Sequence, residues 1–319
     1  MVQKSSGMRT PVVFIIFNRA DTARRVLAAI RQARPSRLFV IADGPRPHRT
    51  GEEQRCLEAR AVITEIDWEC EVTTDFSDVN LGCRKRISSG LDRVFATVEE
   101  AIILEDDCLP EPSFFGYCEE LLDRYRDDQR VMHIAGTNYL FGNYQARMSR
   151  ASYYFSRYNH CWGWATWRRA WKKYDATMSC WPELRESGRL ADILAGDEWA
   201  VAYWQRAFQQ VFDGRIDSWS FVWTLSCWIN SGLTILPTVN LISNIGFNDQ
   251  GAHTFNRRSR FANMETTPIS LPLIDPPFLI RDREADHYTQ RHNFRDGWLI
   301  RLARRFLEYQ VRRRQQRRG

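Results

Sequence analysis

The amino-acid sequence predicts an α/β fold in which a mostly parallel sheet is flanked by helices. Three observations indicate this class. Apolar runs alternate with amphipathic segments through roughly the first 130 residues, polar residues follow the apolar runs, and 319 residues are enough for one large α/β domain or two smaller ones. Strands that alternate with helices in this way are typical of parallel sheets, because the chain must return across the sheet between successive strands.

The first two strands are predicted from short, β-branched apolar runs. "VVFIIF" (12–17) is continuously apolar, which is typical of a strand buried on both faces. The helix that follows places Val26, Leu27 and Ile30 on one face. "RLFVIADGP" is the second strand, and it ends in a turn that begins at Asp43.

Two further strand–helix pairs complete the first half. A polar helical segment covers about 50–66, and a short strand follows it. The next elements are, in order, a helix, a fourth strand and another helix, at "CRKRISSGLDRVF", "AIILEDD" and "PSFFGYCEELLDRYR". Because the carboxyl ends of parallel strands meet at one edge, we expect the polar residues that follow these strands to share a crevice.

The second half is less regular. A strand is predicted at "VMHIAGTN", and a helical turn near Trp164 within an aromatic-rich stretch that we expect to be mostly core. The chain is predicted to be irregular from about 256 to 295, and helical and Arg-rich over its last 22 residues. Two helices and a strand with its loop are predicted at "DEWAVAYWQRAFQQVF", "DSWSFVWTLSCWINSG" and "LTILPTVNLISNIGF".

Three adjacent acids follow the fourth apolar run. Glu105, Asp106 and Asp107 repel one another, and carboxylates removed from water need a compensating partner. Mn²⁺ or Mg²⁺ would supply it, because these ions prefer oxygen ligands and often join a carboxylate to nucleotide phosphates. A solvated turn is the alternative. The sequence contains neither a P-loop nor a glycine-rich dinucleotide motif after its first strand, but a nucleotide-sugar site needs neither.

The order and spacing of these stretches resemble glycosyltransferases of the GT-A fold. The nearest similarity is to the N-acetylglucosaminyltransferase I-like group and its bacterial sugar-transferase relatives of the "hemolytic protein"-like kind. The resemblance covers 11–140 well and continues more loosely to about residue 254. It is carried by "PVVFIIFNRADTARRVL", "ADGP", "NLGCRKRISSGLDRVF" and "AIILEDDCLPEPSFFGYCEEL".

The resemblance implies roles for individual residues. Asp107 resembles the ligand of a Mn²⁺ or Mg²⁺ ion. Glu105 and Asp106 resemble the acids that face the donor's sugar and ribose, and Asp43 resembles the acid that reads the base. The other implied donor contacts are Asn18, Arg19, Arg84, Lys85 and, near the diphosphate or the acceptor, His253.

The resemblance also implies a catalytic base in a Trp- and Asp-rich segment. The corresponding segment here is "RIDSWSFVW", in which Asp217 is the only acid. The family pattern has its acid nearer to or after the Trp, where this chain has Ser218 and Ser220. Asp197 and Glu198 are the reserve candidates. Taken alone, Asp217 has the position of a helix N-cap.

The function implied is metal-dependent transfer of a sugar. The donor would be a nucleoside diphosphate sugar, with UDP as the expected nucleotide, and the acceptor a hydroxyl of a glycan or lipid-linked glycan, with inversion at the sugar. One alternative is a metal-dependent nucleotidyl or phosphoryl transferase. The other is a non-catalytic GT-A scaffold that binds a membrane or a partner through its basic tail.

The charge of the chain is concentrated at its end. The net charge is +6, yet the residues from Trp298 onward hold eight Arg and one Glu, so the remainder is close to neutral. This distribution argues against nucleic acid as the main substrate. The tail is predicted to be an amphipathic helix that lies on anionic lipid, with a solvated basic terminus as the alternative.

The last two predictions from the sequence concern the cell compartment and the domain boundaries. Eight scattered cysteines, without metal-binding spacing, predict a reducing compartment and therefore a cytoplasmic protein, with peripheral contact on the inner face of the membrane. We predict a glycosyltransferase domain at 1–255, divided into a nucleotide-binding half at 11–140 and an acceptor half at 141–255. The irregular segment and basic tail would then occupy 256–319.

Overall fold

The computed structural model describes residues 7–141, 150–247 and 259–295. This part of the chain contains ten strands. They are β1 (Val12–Ile16), β2 (Arg37–Ala42), β3 (Glu71–Phe76), β4 (Glu100–Glu105), β5 (Cys108–Pro110), β6 (Val131–Ala135), β7 (Tyr153–Ser156), β8 (Trp164–Trp167), β9 (Leu233–Pro237) and β10 (Ile242–Asn244).

The helices of the described residues alternate with the first strands and then cluster in the second half. They are α1 (Ala20–Ala33), α2 (Glu52–Ala61), α3 (Cys83–Thr97), α4 (Ser113–Arg124), α5 (Arg168–Trp171), α6 (Trp181–Glu186), α7 (Leu190–Ile193), α8 (Glu198–Phe212), α9 (Trp219–Ile229) and α10 (Arg283–Thr289). A 3-10 turn (Val62–Glu65) follows α2, and a π-helical turn (Gln290–Arg295) follows α10.

Eight strands form one central sheet, in the order β3-β2-β1-β4-β8-β6-β9-β7. Strands β1 to β4 run parallel, β8 runs antiparallel to both of its neighbours, and β6 and β9 are parallel again. Strands β5 and β10 form a separate antiparallel pair. The alternating order predicted for the first half is confirmed, as is the α/β class with a mostly parallel sheet flanked by helices.

Burial explains why the central strands are continuously apolar. In β1, Val12 and Phe14 pack into the core on the face covered by α1 and α4. Val13 and Ile15 point to the opposite face, covered by α3, α8 and α9, because side chains alternate along a strand. Helices therefore cover both faces of the sheet and leave the strand ends as the place where polar residues can gather.

The prediction of a helical turn near Trp164 is wrong. Residues Trp164–Trp167 form β8, which pairs with β4 and β6, and the chain becomes helical only at Arg168. Trp164 is fully buried, and it stacks on His133 and Trp219. Because this aromatic segment pairs with a strand on each side, its backbone is extended, even though its hydrophobic spacing suggested a helix.

The expectation of an irregular segment over 256–295 is wrong in part. Helix α10 lies within it, capped by the Asp282 side chain, which accepts from the backbone of Glu284 and Ala285. The stretch before the helix is irregular as predicted, and its Ile269 and Leu273 join the core. The predicted helical tail lies outside the described residues.

Most of the aromatic cluster is core, as predicted. The side chains of Tyr158, Trp164, Trp167 and Trp171 are almost completely buried, whereas Trp162 is only partly buried. All eight cysteines lie in described parts of the chain, and none of them forms a disulfide.

Two histidines are buried beside this cluster. The Nδ1 atom of His133 accepts from the Trp223 indole at 3.0 Å, and its Nε2 atom donates to the His160 carbonyl at 3.0 Å. The Nδ1 atom of His160 donates to the Thr137 carbonyl. Burial lowers the pKa of His133 from 6.5 to about 3 and that of His160 to about 4.

Acidification is therefore expected to destabilise the fold through these two side chains. Below pH 6.5 the unfolded chain protonates both imidazoles while the folded protein does not. The free energy of unfolding then falls by up to about 1.4 kcal/mol per pH unit for each histidine. Urea denaturation at stepped pH measures this slope. His133→Gln should flatten it and the exposed His48→Gln should not; equal slopes for His133→Gln and wild type would contradict the assignment.

Candidate functional site

A cleft of about 290 Å³ opens at the carboxyl ends of the parallel strands. It brings together six of the residues predicted from the sequence, which come from four different connections. These are Asn18, Arg19, Asp43, Glu105, Asp106 and Asp217. Asp107 lies beside them through its contact with Arg19. The expectation that the polar strand ends share one crevice is confirmed.

The three acids that follow β4 are compensated by an arginine from the end of β1. The Nη2 atom of Arg19 donates to Asp106 Oδ1 and, at 2.9 Å, to Asp107 Oδ2. Asp106 also accepts from the backbone N–H of Phe17 at 3.1 Å. Asp106 and Asp107 are both buried, so this arginine serves as the counter-charge that their burial requires.

One guanidinium does not neutralise three carboxylates. Burial, together with the charges of Asp107 and Asp106, raises the pKa of Glu105 to about 8. Burial raises the pKa of Asp106 to about 6, although Arg19 opposes the rise. Burial alone would lower the pKa of Arg19, but the two aspartates raise it above its ordinary value. Arg19 therefore compensates Glu105, Asp106 and Asp107, which we call the acid loop, only in part, and the remaining repulsion favours the protonated form of Glu105.

Asp43 uses its carboxylate to hold the loop between β3 and α3. Its Oδ1 atom accepts from the backbone of Gly44 and Leu81, and its Oδ2 atom accepts from Asn80 Nδ2 and the backbone of Gly82. An ionised carboxylate has about four acceptor positions, and all four are used here. Burial raises the pKa of Asp43, which these hydrogen bonds oppose.

A buried glutamate from α2 supports the entrance of the cleft. Glu52 is fully buried, and it accepts from Asn18 Nδ2 at 2.9 Å and from the backbone N–H of Arg46 at 2.7 Å. The guanidinium of Arg46 pairs with the same carboxylate and lies over the Phe17 ring. Burial would raise the pKa of Glu52, but the hydrogen bonds and the charge of Arg46 outweigh this effect, so the pKa of Glu52 is below its ordinary value.

Asp217 contacts the first turn of α3. Its two oxygens accept from the backbone N–H groups of Cys83 at 2.8 Å and Arg84 at 3.1 Å. The sequence position of Asp217 predicted a cap of the adjacent α9, and this is wrong, because the N-cap of α9 is Ser218, which makes no side-chain capping bond. Asp217 caps α3 instead. Gly82, at φ +81°, leaves the space that this carboxylate occupies.

Four other predicted residues lie away from the lining of the cleft. The Arg84 guanidinium donates to the carbonyls of Val211 and Ala176, and Lys85 is exposed. The reserve bases are also elsewhere. Asp197 caps α8 and lines a separate cavity of about 150 Å³, while Glu198 is exposed. His253 lies outside the described residues.

The sequence analysis missed three residues that line or support the cleft: Arg46, Glu52 and Asn80. Arg86, the third residue of the basic run at 84–86, also lines it. Arg86 is buried and pairs with Asp75. The basic run that begins at Arg84 was a usable signal, but only its third member turns toward the cleft. Glu52 lies in a strongly polar helix, which gave no sign of a buried acid.

Every arginine in the described lining already has a carboxylate partner. Arg19 is paired with Asp106 and Asp107, Arg46 with Glu52, and Arg86 with Asp75. A diphosphate that enters the cleft therefore meets cations that are already engaged. Its binding requires either an additional cation or an exchange of ion-pair partners.

The residues present fit a divalent cation that a ligand helps to hold. In the ranges 7–141, 150–247 and 259–295, no three His, Cys, Asp or Glu side chains converge on a metal position. Mg²⁺, however, is commonly held by one or two carboxylates together with substrate phosphates. Asp106 and Asp107 provide two carboxylates of that kind, and both are in contact with Arg19.

Two aromatic side chains, Trp162 and Phe247, lie beside the acid loop. The backbone of Ile245 donates to the Asp107 carbonyl, and a Cβ atom on Gly246 would collide with the Asp107 carboxylate. The next residue, Phe247, packs edge-on against Trp162 at 5.6 Å. Aromatic side chains with a polar neighbour are suited to bind sugar rings.

Comparisons with known proteins do not identify a family. No family model matches the chain, and no curated protein matches it. One similar solved structure is a UDP-glucose pyrophosphorylase in complex with UDP-glucose, with a TM-score of 0.26 and 10% identity over 52% of this chain and 71% of the other. An apo UDP-glucose pyrophosphorylase is similar with a TM-score of 0.22 and 11% identity over 41% of this chain and 66% of the other. At such low TM-scores, the properties of the cleft itself must carry the functional proposal.

The four hydrogen bonds to Asp43 predict that Asp43→Asn destabilises the fold. The new amide nitrogen would face two donors, from Asn80 and Gly82, and each buried donor without an acceptor costs about 1–3 kcal/mol. We expect a loss of at least about 2 kcal/mol in urea denaturation. The exposed Asp78→Asn is the matched control, and equal stabilities of the two variants would refute this role.

Proposed function

We propose that this protein is a metal-dependent glycosyltransferase that uses a nucleoside diphosphate sugar, with UDP as the nucleotide. One observation carries the proposal: a buried acid loop at the end of β4 and the Arg19 guanidinium face the same cleft as a second, separately held carboxylate, Asp217. Sugar transfer to a hydroxyl requires groups that stabilise a charged leaving group and a second group that accepts the hydroxyl proton.

In this proposal the donor lies along the carboxyl ends of β1, β2 and β4. Arg19 and Asn18 approach the donor from the connection after β1, while Glu105 and Asp106 face its sugar and ribose. Asp43 reads the base through the loop that it organises, because its own acceptor positions are engaged. Asp107 would hold Mn²⁺ or Mg²⁺, which would stabilise the negative charge of the leaving diphosphate.

The transfer step uses the residues of the second half. The acceptor hydroxyl oxygen forms a bond to the anomeric carbon, and the bond from that carbon to the diphosphate oxygen breaks. Asp217 accepts the hydroxyl proton. Two backbone N–H groups orient its carboxylate. About two of the four positions at which this carboxylate can accept a hydrogen bond remain for the hydroxyl of the acceptor substrate. Trp162 and Phe247 would contact the acceptor sugar.

Binding and turnover test this proposal separately. We expect UDP-sugars to raise the melting temperature of the wild type only with Mn²⁺, because a ligand at about a hundredfold excess over its Kd adds about 2.7 kcal/mol of apparent stability. Asp107→Ala should lose the shift, and the exposed Asp78→Ala should keep it. GDP- and dTDP-sugars establish the nucleotide preference. No shift with any nucleotide would refute the proposal.

The product distinguishes glycosyl transfer from its alternatives. A nucleoside diphosphate should be released with sugar transfer, whereas pyrophosphate or phosphate would indicate a nucleotidyl or phosphoryl transferase. Asp217→Asn should still bind the donor and should lose turnover by about 10²-fold or more. Turnover by this variant at the wild-type rate would show that Asp217 is only a cap of α3. Binding without any turnover would favour the scaffold alternative.

We further propose that the protein contacts an anionic membrane surface. Four large apolar side chains lie exposed within ten residues, and we call them the apolar strip: Leu271 (49%), Ile274 (59%), Phe278 (69%) and Ile280 (70%). Exposed apolar residues grouped in this way mark interaction surfaces. The Arg-rich end of the sequence would add attraction to anionic lipid. None of the helices in the described ranges is long and apolar enough to cross a bilayer.

Vesicle sedimentation of the full chain tests the apolar strip. Binding to vesicles of phosphatidylcholine with about one third phosphatidylglycerol should fall about tenfold or more in Phe278→Ser/Ile280→Ser, because each buried apolar side chain contributes about 1.5–3 kcal/mol. Leu57→Ser/Phe212→Ser removes two exposed apolar side chains elsewhere and should bind as the wild type does. Equal binding by both double variants would refute the contact.

A further inference from the structure

Arg19 occupies a position that a divalent cation at the acid loop would need. Its Nη2 atom bonds to Asp106 Oδ1 and Asp107 Oδ2 together, so one cationic group bridges the two carboxylates. The three side chains are largely buried, with exposures of 12%, 4% and 11%. A cation that bridges the same two carboxylates must displace this guanidinium, because two cations cannot share one buried position.

The other contacts of Asp107 restrict the directions from which a cation can reach its carboxylate. Its Oδ1 atom lies 3.5 Å from the buried thiol of Cys108, and Gly246 lies so close that a Cβ atom on it would collide with Asp107 Oδ2 and Arg19 Nη1. The open approach to the pair is from the cleft, which Arg19 and Asp106 line. A cation that arrives from the cleft therefore meets Arg19 before it can bind Asp107.

The guanidinium is also incompletely bonded where it stands. Its Nη1 atom is buried and has no hydrogen-bond partner among the described residues, whereas Nη2 serves both carboxylates. A phosphate group offers two oxygens to the two terminal nitrogens of an arginine, which is a favourable geometry. A diphosphate in the cleft can therefore compete with the carboxylates for Arg19.

The two partners are carried by different elements of the fold. Arg19 precedes the first residue of α1, whereas Asp106 and Asp107 lie between β4 and β5. The side chain can consequently leave the carboxylates without a change in the acid loop, which the backbone bond from Ile245 and the Phe17 N–H still hold.

From this geometry we infer that Arg19 is an internal substitute for the divalent cation, and that a nucleoside diphosphate must draw it away before the cation binds at Asp106 and Asp107. The inference rests on the proposed function for its nucleotide, but the exclusion of the cation by Arg19 does not depend on catalysis. Nucleotide and cation would then bind in a fixed order, and neither would bind tightly alone.

Mn²⁺ binding followed by electron paramagnetic resonance tests the exclusion without any nucleotide. The wild type should bind Mn²⁺ at least tenfold more weakly than Arg19→Ala, in which the two carboxylates are free. Arg19→Gln, which keeps much of the side-chain volume, should behave as Arg19→Ala does and serves if the alanine variant does not fold. Arg24→Ala removes an exposed arginine outside the cleft that pairs with Glu65, and it should bind Mn²⁺ as weakly as the wild type.

A second arm adds UDP to the wild-type protein. UDP should tighten Mn²⁺ binding at least tenfold in the wild type and much less in Arg19→Gln. Equal Mn²⁺ affinities of wild type and both Arg19 variants would overturn the inference, as would a wild type that UDP binds without any gain in Mn²⁺ affinity. Failure of UDP and of the other nucleotides to shift the melting temperature would instead overturn the proposed function, while tighter Mn²⁺ binding by the Arg19 variants would still establish the exclusion.

Discussion

The organisation of the cleft depends on the pairing of one arginine with two aspartates. Three carboxylates at the end of a buried strand are untenable without a counter-charge, and Arg19 provides it from the neighbouring parallel strand. Because β1 and β4 are adjacent and parallel, the connection after each strand reaches the same edge. The ion pair therefore joins the two connections that any ligand of this edge must contact.

A second constraint acts on the loop between β3 and α3. Asp43 binds the segment at Asn80, Leu81 and Gly82, and Asp217 binds the next two residues, so carboxylates from two separate elements hold five consecutive positions. Backbone N–H groups at a helix start need acceptors, and acids placed opposite them satisfy that need. Asp43 and Asp217 also line the cleft, so the residues that hold this loop in place belong to the candidate site themselves.

The sequence was sufficient for the parts of the fold that depend on local pattern. Strands β1, β2 and β4 are apolar because both of their faces are buried, and the acids that follow them could be assigned to one edge from topology alone. Glu52 and Arg46 could not be found in this way, since the burial of Glu52 depends on how α2 packs, and Arg46 is positioned by its pairing with that carboxylate. The choice of Arg86 over Arg84 and Lys85 depends on the rotation of α3, and β8 depends on the two strands that enclose it.

The capping of α3 by Asp217 also has a consequence for how the chain folds during its synthesis on the ribosome. The two partners are 134 residues apart, and the N-terminal elements emerge first during synthesis. The sheet of β1 to β4 can be assembled from early residues, but the first turn of α3 lacks its acceptor until the segment before α9 has been made. The entrance of the cleft is thus completed late in translation, when most of the polypeptide is already present to cover it.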